Sequence, residues 1–167
     1  MTARIALLMG SDSDFPRLEA TVKTLRDFGI PAEVRVLSAH RTPEEACAFA
    51  SSARARGLEV IICAAGGAAH LAGVIAAHTS LPVIGIPMDN PPLGGLDALL
   101  ATVQMPGGVP VATVGVGVGG PVNAALTALR ILGVADASID QKLGDFRKQQ
   151  HDQVLVKDRA LQDRLQS

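Results

Sequence analysis

Five short apolar runs recur along the chain, and longer stretches with helical spacing of their apolar residues separate them. The runs are rich in Val, Ile and Leu, and several are apolar at successive positions. That pattern is typical of parallel strands covered on both faces. It predicts β-strands at residues 4–9, 33–37, 60–64, 83–86 and 111–116.

The stretches between these runs predict helices with recognisable end signals. In the first, Leu18 and Leu25 share one side, and Gly29 follows its end. In the second, Thr42 and Glu45 form the pattern of a capping box. A charged tail to residue 167 is expected either to fray or to pack on a neighbouring subunit. The predicted helices cover residues 14–28, 42–56, 71–79, 93–103, 121–132 and 138–154.

The alternation of strands and helices predicts an α/β fold, a three-layer α/β/α sandwich with a flavodoxin-like parallel sheet. We expect five strands in the order 2-1-3-4-5. Since no linker interrupts the pattern, residues 1–167 are predicted to form a single domain, with a C-terminal helix and tail from about residue 138.

Composition narrows the range of partners. The net charge is −1, which favours neither nucleic acid nor an anionic membrane as a partner. We expect neither a signal peptide nor a membrane span, because no basic segment followed by an apolar stretch and a cleavage site opens the sequence and no apolar run approaches ~20 residues. We therefore expect a soluble, cytoplasmic protein whose bound anions are captured locally.

Polar side chains cluster directly after the first three predicted strands. Ligands of open parallel sheets bind beyond the carboxyl ends of the strands, where the strand order reverses. With strand 1 between strands 2 and 3, the three following loops become neighbours around one pocket. These loops are GSDSD at 10–14, SAHRTP at 38–43 and AGGAAH at 65–70.

The first two loops carry groups that suit a sugar phosphate. The hydroxyls of Ser11 and Ser13 precede a helix N-terminus, an arrangement that binds phosphate or serves only as a local cap. Asp14 either caps the helix or accepts hydrogen bonds from a ribose diol. Arg41 stands before a helix start, where a cation is disfavoured unless it faces an anion.

Two histidines, His40 and His70, stand at strand-to-helix turns of the same edge, and imidazole titrates near neutral pH. They have no third residue at metal-ligand spacing, and no nucleophile elbow is present. The residues therefore indicate acid–base chemistry on a small phosphorylated ligand, without naming that ligand.

The loops, in this order, resemble those of the bacterial N5-carboxyaminoimidazole ribonucleotide mutases of de novo purine synthesis. The likeness includes QMPGGVPV at 104–111 and NAAL at 123–126, and it extends from about residue 4 to about residue 150. It implies a three-layer sandwich assembled as a homo-octamer with active sites at subunit contacts. It also implies a reaction that needs no cofactor and no metal: a carboxylate moves from the exocyclic nitrogen of the ribonucleotide to C4 of its imidazole.

The resemblance also implies roles for individual residues. His40 would be the general acid and base, and His70 would orient the substrate. The remaining site residues would bind the substrate: Ser11, Ser13 and Arg41 at the phosphate, Asp14 at the ribose, and Ser38, Gly67, Ala68 and Leu71 around the base and carboxylate.

The chain departs from the family pattern at two places. Ala72 replaces the usual proline after the His-Leu pair, which predicts a looser turn near His70. The segment MDNPPL at 88–93 is unusually rich in proline, which predicts an altered rim loop or subunit contact.

Two rival functions stay open at this point. The related aminoimidazole ribonucleotide carboxylases use free CO2, but they tend to have lysine in place of Arg41 and lack the Gln-Met-Pro segment at 104–106. A non-catalytic nucleotide-binding module would use the same loops, but it would leave His40 without an evident role.

Overall fold

The computed structural model describes residues 3–166 and contains an alternating series of strands and helices. A short 3-10 turn, Asp12–Asp14, precedes the first helix. The strands are β1 (Ile5–Met9), β2 (Ala32–Val36), β3 (Val60–Ala65), β4 (Val83–Pro87) and β5 (Ala112–Thr113). The helices are α1 (Phe15–Asp27), α2 (Pro43–Ala53), α3 (Leu71–Ala77), α4 (Leu96–Val103), α5 (Gly119–Gly133) and α6 (Ala137–Gln166).

The five strands form one parallel sheet in the order β2-β1-β3-β4-β5, which confirms the predicted fold class and strand order. In β1, Leu7 lies opposite Val34 on one side and Ile62 on the other. All residues of β1 and β4 are buried, as their continuous apolar sequence predicts. Strand β1 lies between β2 and β3, so the loops after β2 and β3 flank its carboxyl end.

The last strand is shorter than predicted. Residues 111–116 were expected to be extended, but β5 contains only Ala112 and Thr113. Val114 still donates its amide hydrogen to the carbonyl of Gly85, at 3.1 Å. The chain then leaves the sheet edge, and it turns at Gly117, which has φ +89°.

The capping box predicted at the start of α2 is wrong. The Thr42 side chain makes no capping hydrogen bond to the helix. Instead, its hydroxyl accepts from the Ser38 amide at 2.9 Å and donates to the Ser38 carbonyl at 3.2 Å. The loop therefore engages the hydroxyl that would otherwise cap the helix. At the other end, α2 stops at Ala53, short of the predicted residue 56, and a turn at Gly57 follows.

The C-terminal helix is longer than predicted. Helix α6 runs for 30 residues through the segment expected to be a tail. Neither Gly nor Pro occurs after Gly144, so the local sequence contains no helix breaker. An i,i+4 pair between Lys148 and Asp152, at 2.8 Å, supports the exposed face.

The chain divides into two compact units, one extending to Ala128 and the other beginning at Leu129. In the first unit, a core of buried aliphatic side chains packs α2 and α3 against the sheet and includes Ala50, Ile61 and Ile75. The single domain over residues 1–167 stays a prediction. No helix in the described part of the chain has the length and apolarity needed to cross a membrane.

Candidate active site

A cavity of about 400 Å³ opens at the carboxyl ends of β1, β2 and β3. Its size falls in the range of small-molecule sites. It brings together nine of the ten residues that the sequence singled out, and Gly67 alone does not line it. The nine are Ser11, Ser13, Asp14, Ser38, His40, Arg41, Ala68, His70 and Leu71.

The two serines of the first loop lie side by side. The Oγ atoms of Ser11 and Ser13 are 2.8 Å apart, and the Ser13 amide donates to Ser11 Oγ at 3.3 Å. Ser11 thus does cap the short 3-10 turn. Because the Ser13 side chain is exposed at the cavity, these hydroxyls can also bind an anion in front of α1.

Asp14 follows the serines and is buried. Its carboxylate makes no capping hydrogen bond to α1 and instead accepts from Arg17 Nη2 at 3.2 Å. Burial raises the pKa of Asp14 above its ordinary 3.8, and the positive charge of Arg17 opposes this shift. Asp14 is therefore a desolvated acceptor at the cavity wall rather than a helix cap.

The second loop turns Arg41 towards the first. Its guanidinium Nη2 donates to the carbonyl of Gly10 at 2.7 Å, across 31 residues of sequence. Ser38 Oγ organises the same loop by accepting from the amides of His40, at 3.3 Å, and Arg41, at 3.2 Å. The Arg41 guanidinium consequently lies beside the loop of Ser11 and Ser13, where a bound anion would contact both the guanidinium and the serine hydroxyls.

The two histidines are in direct contact. His40 Nε2 and His70 Nδ1 are 2.8 Å apart, and the rings meet edge to face with centroids 4.9 Å apart. One nitrogen must carry the shared proton and the other must accept it. The pair can thus hold a proton at the cavity, where both side chains are exposed.

The third loop turns at Gly67, whose φ of +62° favours glycine. The Gly67 carbonyl accepts from the Ala69 amide, and the Ala68 carbonyl accepts from the His70 amide, both at 2.8 Å. This tight turn brings Ala68 and His70 to the cavity. Within residues 3–166, no group of three or more His, Cys, Asp or Glu could hold a metal ion.

Asn90 also lines the cavity, although it follows β4 and belongs to none of the three predicted loops. Its side-chain oxygen accepts from Arg17 Nη2 at 2.9 Å. The signal was available in the sequence, because the strand-end rule applies to β4 as it does to β1, β2 and β3. Nothing in the local sequence indicates the contact with Arg17.

Comparison with known proteins adds a family to this geometry. The family model described as AIR carboxylase matches residues 4–153. The chain is 53% identical over 159 residues to the N5-carboxyaminoimidazole ribonucleotide mutase of Mycobacterium tuberculosis, covering 95% of this chain and 90% of that protein. It is 47% identical to the mutase of Escherichia coli, covering 92% and 90%. The crystal structure of Treponema denticola PurE superposes with a TM-score of 0.84 at 28% identity, covering 92% of this chain and 95% of that one.

Proposed function

We propose that the cavity binds N5-carboxyaminoimidazole ribonucleotide and that His40 is the general acid and base. The premise is that the chain belongs to the AIR carboxylase family and is an N5-carboxyaminoimidazole ribonucleotide mutase of de novo purine biosynthesis. One observation carries the proposal. The contacting imidazoles of His40 and His70 border the same cavity as the serines and Arg41.

The nucleotide is proposed to lie across the cavity with its phosphate at the first loop. Ser11, Ser13 and Arg41 supply hydroxyls and a cation to the phosphate, and Asp14 accepts from the ribose hydroxyls. The imidazole and its carboxylate lie against the third loop, bordered by Ser38, Ala68 and Leu71, and Gly67 forms the turn that brings Ala68 to the cavity. This orientation places the reacting atoms beside the histidine pair.

The proposed reaction uses one proton twice. Protonated His40 gives its proton to the exocyclic nitrogen, and the nitrogen–carbon bond breaks with its electron pair moving to that nitrogen. The released CO2 is then attacked by C4 of the imidazole. Neutral His40 removes the proton from C4, which restores the aromatic ring and regenerates the acid. His70 orients the substrate and shares the proton of His40.

The walls of the cavity are proposed to retain the freed CO2. The small side chain of Ala68 leaves room beside the imidazole, and the Asn90 side chain closes the space next to Gly66. A CO2 molecule held next to C4 reacts at a much higher effective concentration than dissolved CO2.

The Gln-Met-Pro segment and Arg41 also favour the mutase over a carboxylase that takes CO2 from solution.

The role of His40 is tested by replacing it with asparagine. We expect His40→Asn to lower kcat by about a hundredfold or more, because the proton transfers lose their carrier. Affinity for the carboxylated product should stay within about tenfold. His78→Asn is the matched control, since His78 is exposed at the end of α3, outside the cavity. Near-normal turnover in His40→Asn would remove the assignment.

The fate of the carboxylate is tested with an isotope. Substrate labelled with carbon-13 in its N-carboxylate is converted in unlabelled bicarbonate buffer. We expect the label at C4 of the product, because the cavity retains CO2. Dilution of the label would instead indicate a carboxylase that uses free CO2.

The protein is further proposed to work as a homo-octamer in the cytoplasm. Helix α4 presents an apolar stripe to solvent, formed by Leu96, Leu100 and Val103 at i, i+4 and i+7. Helix α6 presents exposed apolar residues of its own, including Val154 and Leu161. Contacts between copies of the chain would cover these faces. The cytoplasm is proposed because the substrate is an early, phosphorylated nucleotide precursor.

A further inference from the structure

The loop after β4 forms part of the cavity wall through Asn90. The Met88 amide donates to the Ala65 carbonyl at 2.9 Å, which keeps this loop beside the loop after β3. The backbone amide of Asn90 then donates to the Met88 carbonyl at 3.0 Å. These bonds hold the Asn90 side chain at the cavity, next to Gly66.

Arg17 determines which end of the Asn90 amide faces the cavity. A guanidinium only donates hydrogen bonds, so the amide atom 2.9 Å from Arg17 Nη2 must be the oxygen. The same guanidinium donates to Asp89 at 2.7 Å and to Asp14 at 3.2 Å. Arg17 therefore joins the loop after β4 to the first loop, and its charge is matched by two carboxylates.

The Asn90 NH2 group consequently points away from Arg17. It lies so close to Gly66 that a Cβ at position 66 would overlap it. No hydrogen bond from this NH2 group to another residue exists within the described residues 3–166. Two N–H donors thus remain available at the third-loop end of the cavity.

We propose that Asn90 is a further substrate-binding residue, whose NH2 group donates to the carboxylate of the bound nucleotide, and that Arg17 is its positioning residue. This inference rests on the proposed orientation of the nucleotide. A carboxylate is acceptor-only, which suits a donor next to Gly66. The phosphate lies at the other loops, beside Arg41 and the serines.

The test compares two nucleotides that differ only in the carboxylate. They are the product, 4-carboxy-5-aminoimidazole ribonucleotide, and 5-aminoimidazole ribonucleotide, which lacks the group. We expect Asn90→Ala to lower the affinity for the carboxylated nucleotide by about tenfold or more. Its affinity for 5-aminoimidazole ribonucleotide should fall by less than about twofold. A merely structural role would weaken both alike, and equal losses or no loss would overturn the proposal.

Asn90→Asp tests the hydrogen-bond donation by the NH2 group separately from the contact between the Asn90 oxygen and Arg17. The aspartate keeps an oxygen for Arg17 but presents a second oxygen to the cavity. We expect it to bind the carboxylated nucleotide more weakly than Asn90→Ala does, since two carboxylates then face each other. Affinity equal to that of the original protein would overturn the donor role.

The positioning role of Arg17 is tested by a double-mutant cycle. Arg17→Met should reduce the preference for the carboxylated nucleotide when Asn90 is present and have no such effect in Asn90→Ala. Arg26→Met is the matched control, because Arg26 lies exposed on the same helix outside the cavity. Equal effects of Arg17→Met in both backgrounds would overturn the positioning role.

The outcomes distinguish this inference from the proposed function. If His40→Asn is inactive while Asn90→Ala binds both nucleotides normally, only the role of Asn90 fails. If His40→Asn turns over normally, the acid–base assignment fails whatever Asn90 does.

Discussion

Asp14 is the one charged side chain that is buried among residues 3–166, with 5% of its surface exposed. Its nearest cation, Arg17, also contacts Asp89 and Asn90, so the charge is shared among several acceptors. A desolvated acceptor with a raised pKa costs folding free energy. Such costs are typical of residues retained for binding rather than for stability.

Replacing Asp14 with asparagine should make the free protein more stable at neutral pH. Because the folded-state pKa of Asp14 is raised, ionisation favours the unfolded chain. This penalty is absent below the ordinary pKa of 3.8, grows as pH rises through the raised pKa, and is complete above it. Urea unfolding from pH 4 to pH 8 should show a higher free energy of unfolding for Asp14→Asn than for the original protein, and this difference should shrink towards pH 4.

The neighbouring Asp12→Asn is the control for this prediction, because Asp12 is exposed in the same turn. The gain in stability at neutral pH should be absent from Asp12→Asn, since an exposed carboxylate is not desolvated. A destabilised Asp14→Asn at pH 7 would show that the pairing with Arg17 outweighs desolvation. Affinity for the nucleotide should fall in Asp14→Asn if the carboxylate binds ribose.

Arg41 gives a second prediction at this scale. Arg41→Met should weaken binding of ribose 5-phosphate and of the nucleotide by about tenfold or more, since charge-assisted hydrogen bonds are lost. Arg35→Met, an exposed arginine on β2 outside the cavity, should bind both ligands normally in calorimetry. Unchanged affinity in Arg41→Met would remove this residue from the site.

At the scale of elements, glycines in helices occupy two different environments. In α6, a Cβ at Gly144 would meet nothing within 4 Å. In α3, a Cβ at Gly73 would lie 2.9 Å from the Met105 sulfur. The glycine at 73 thus allows the segment around Met105 to approach α3, whereas the glycine at 144 only weakens its helix.

We therefore expect Gly144→Ala to stabilise the protein by about 0.5–1 kcal/mol, because alanine is the better helix former. Gly73→Ala is the contrasting variant, and the shift it forces on Met105 should cancel that gain. Unfolding midpoints of both variants against the original protein check the prediction. A gain in Gly73→Ala as large as in Gly144→Ala would contradict the close approach.

At the scale of the whole molecule, the stripe on α4 and the apolar residues of α6 are exposed in a single copy. Leu96 is 55% exposed and Leu100 is 48% exposed. Apolar residues spaced to share one helix face are more typical of a contact surface than scattered apolar residues are. Association of copies would remove this area from water and supply stability that a single chain lacks.

The corresponding prediction concerns Leu100. In light scattering, the original protein should have about eight times the 17.2 kDa mass of one chain. Leu100→Lys should lower this mass, because a buried, unpaired charge would be costly at an interface between copies. Val134→Lys is the control, since Val134 is exposed and lies on neither α4 nor α6. An unchanged mass in Leu100→Lys would exclude the α4 stripe from the interface.

Local patterns of the sequence were sufficient for the sheet and for most of the residues that line the cavity. Continuous apolar runs identified the strands, and the strand-end rule brought Ser11, His40 and His70 to one edge. These inferences work because apolar periodicity directly reflects burial, and because parallel strands all end on the same side. Boundaries such as those of β5 and α2 were less accurate, since neighbouring loops decide where hydrogen bonding stops.

Only the tertiary structure decided which side chains touch. The contact of His40 with His70 spans 30 residues, and that of Arg17 with Asn90 spans 73. The burial of Asp14 and the hydrogen bonds between Thr42 and Ser38 also depend on how loops pack against each other. Local sequence specifies the backbone period and the side that faces the core. Pairing between distant side chains follows from the three-dimensional arrangement of the loops, which no local pattern encodes.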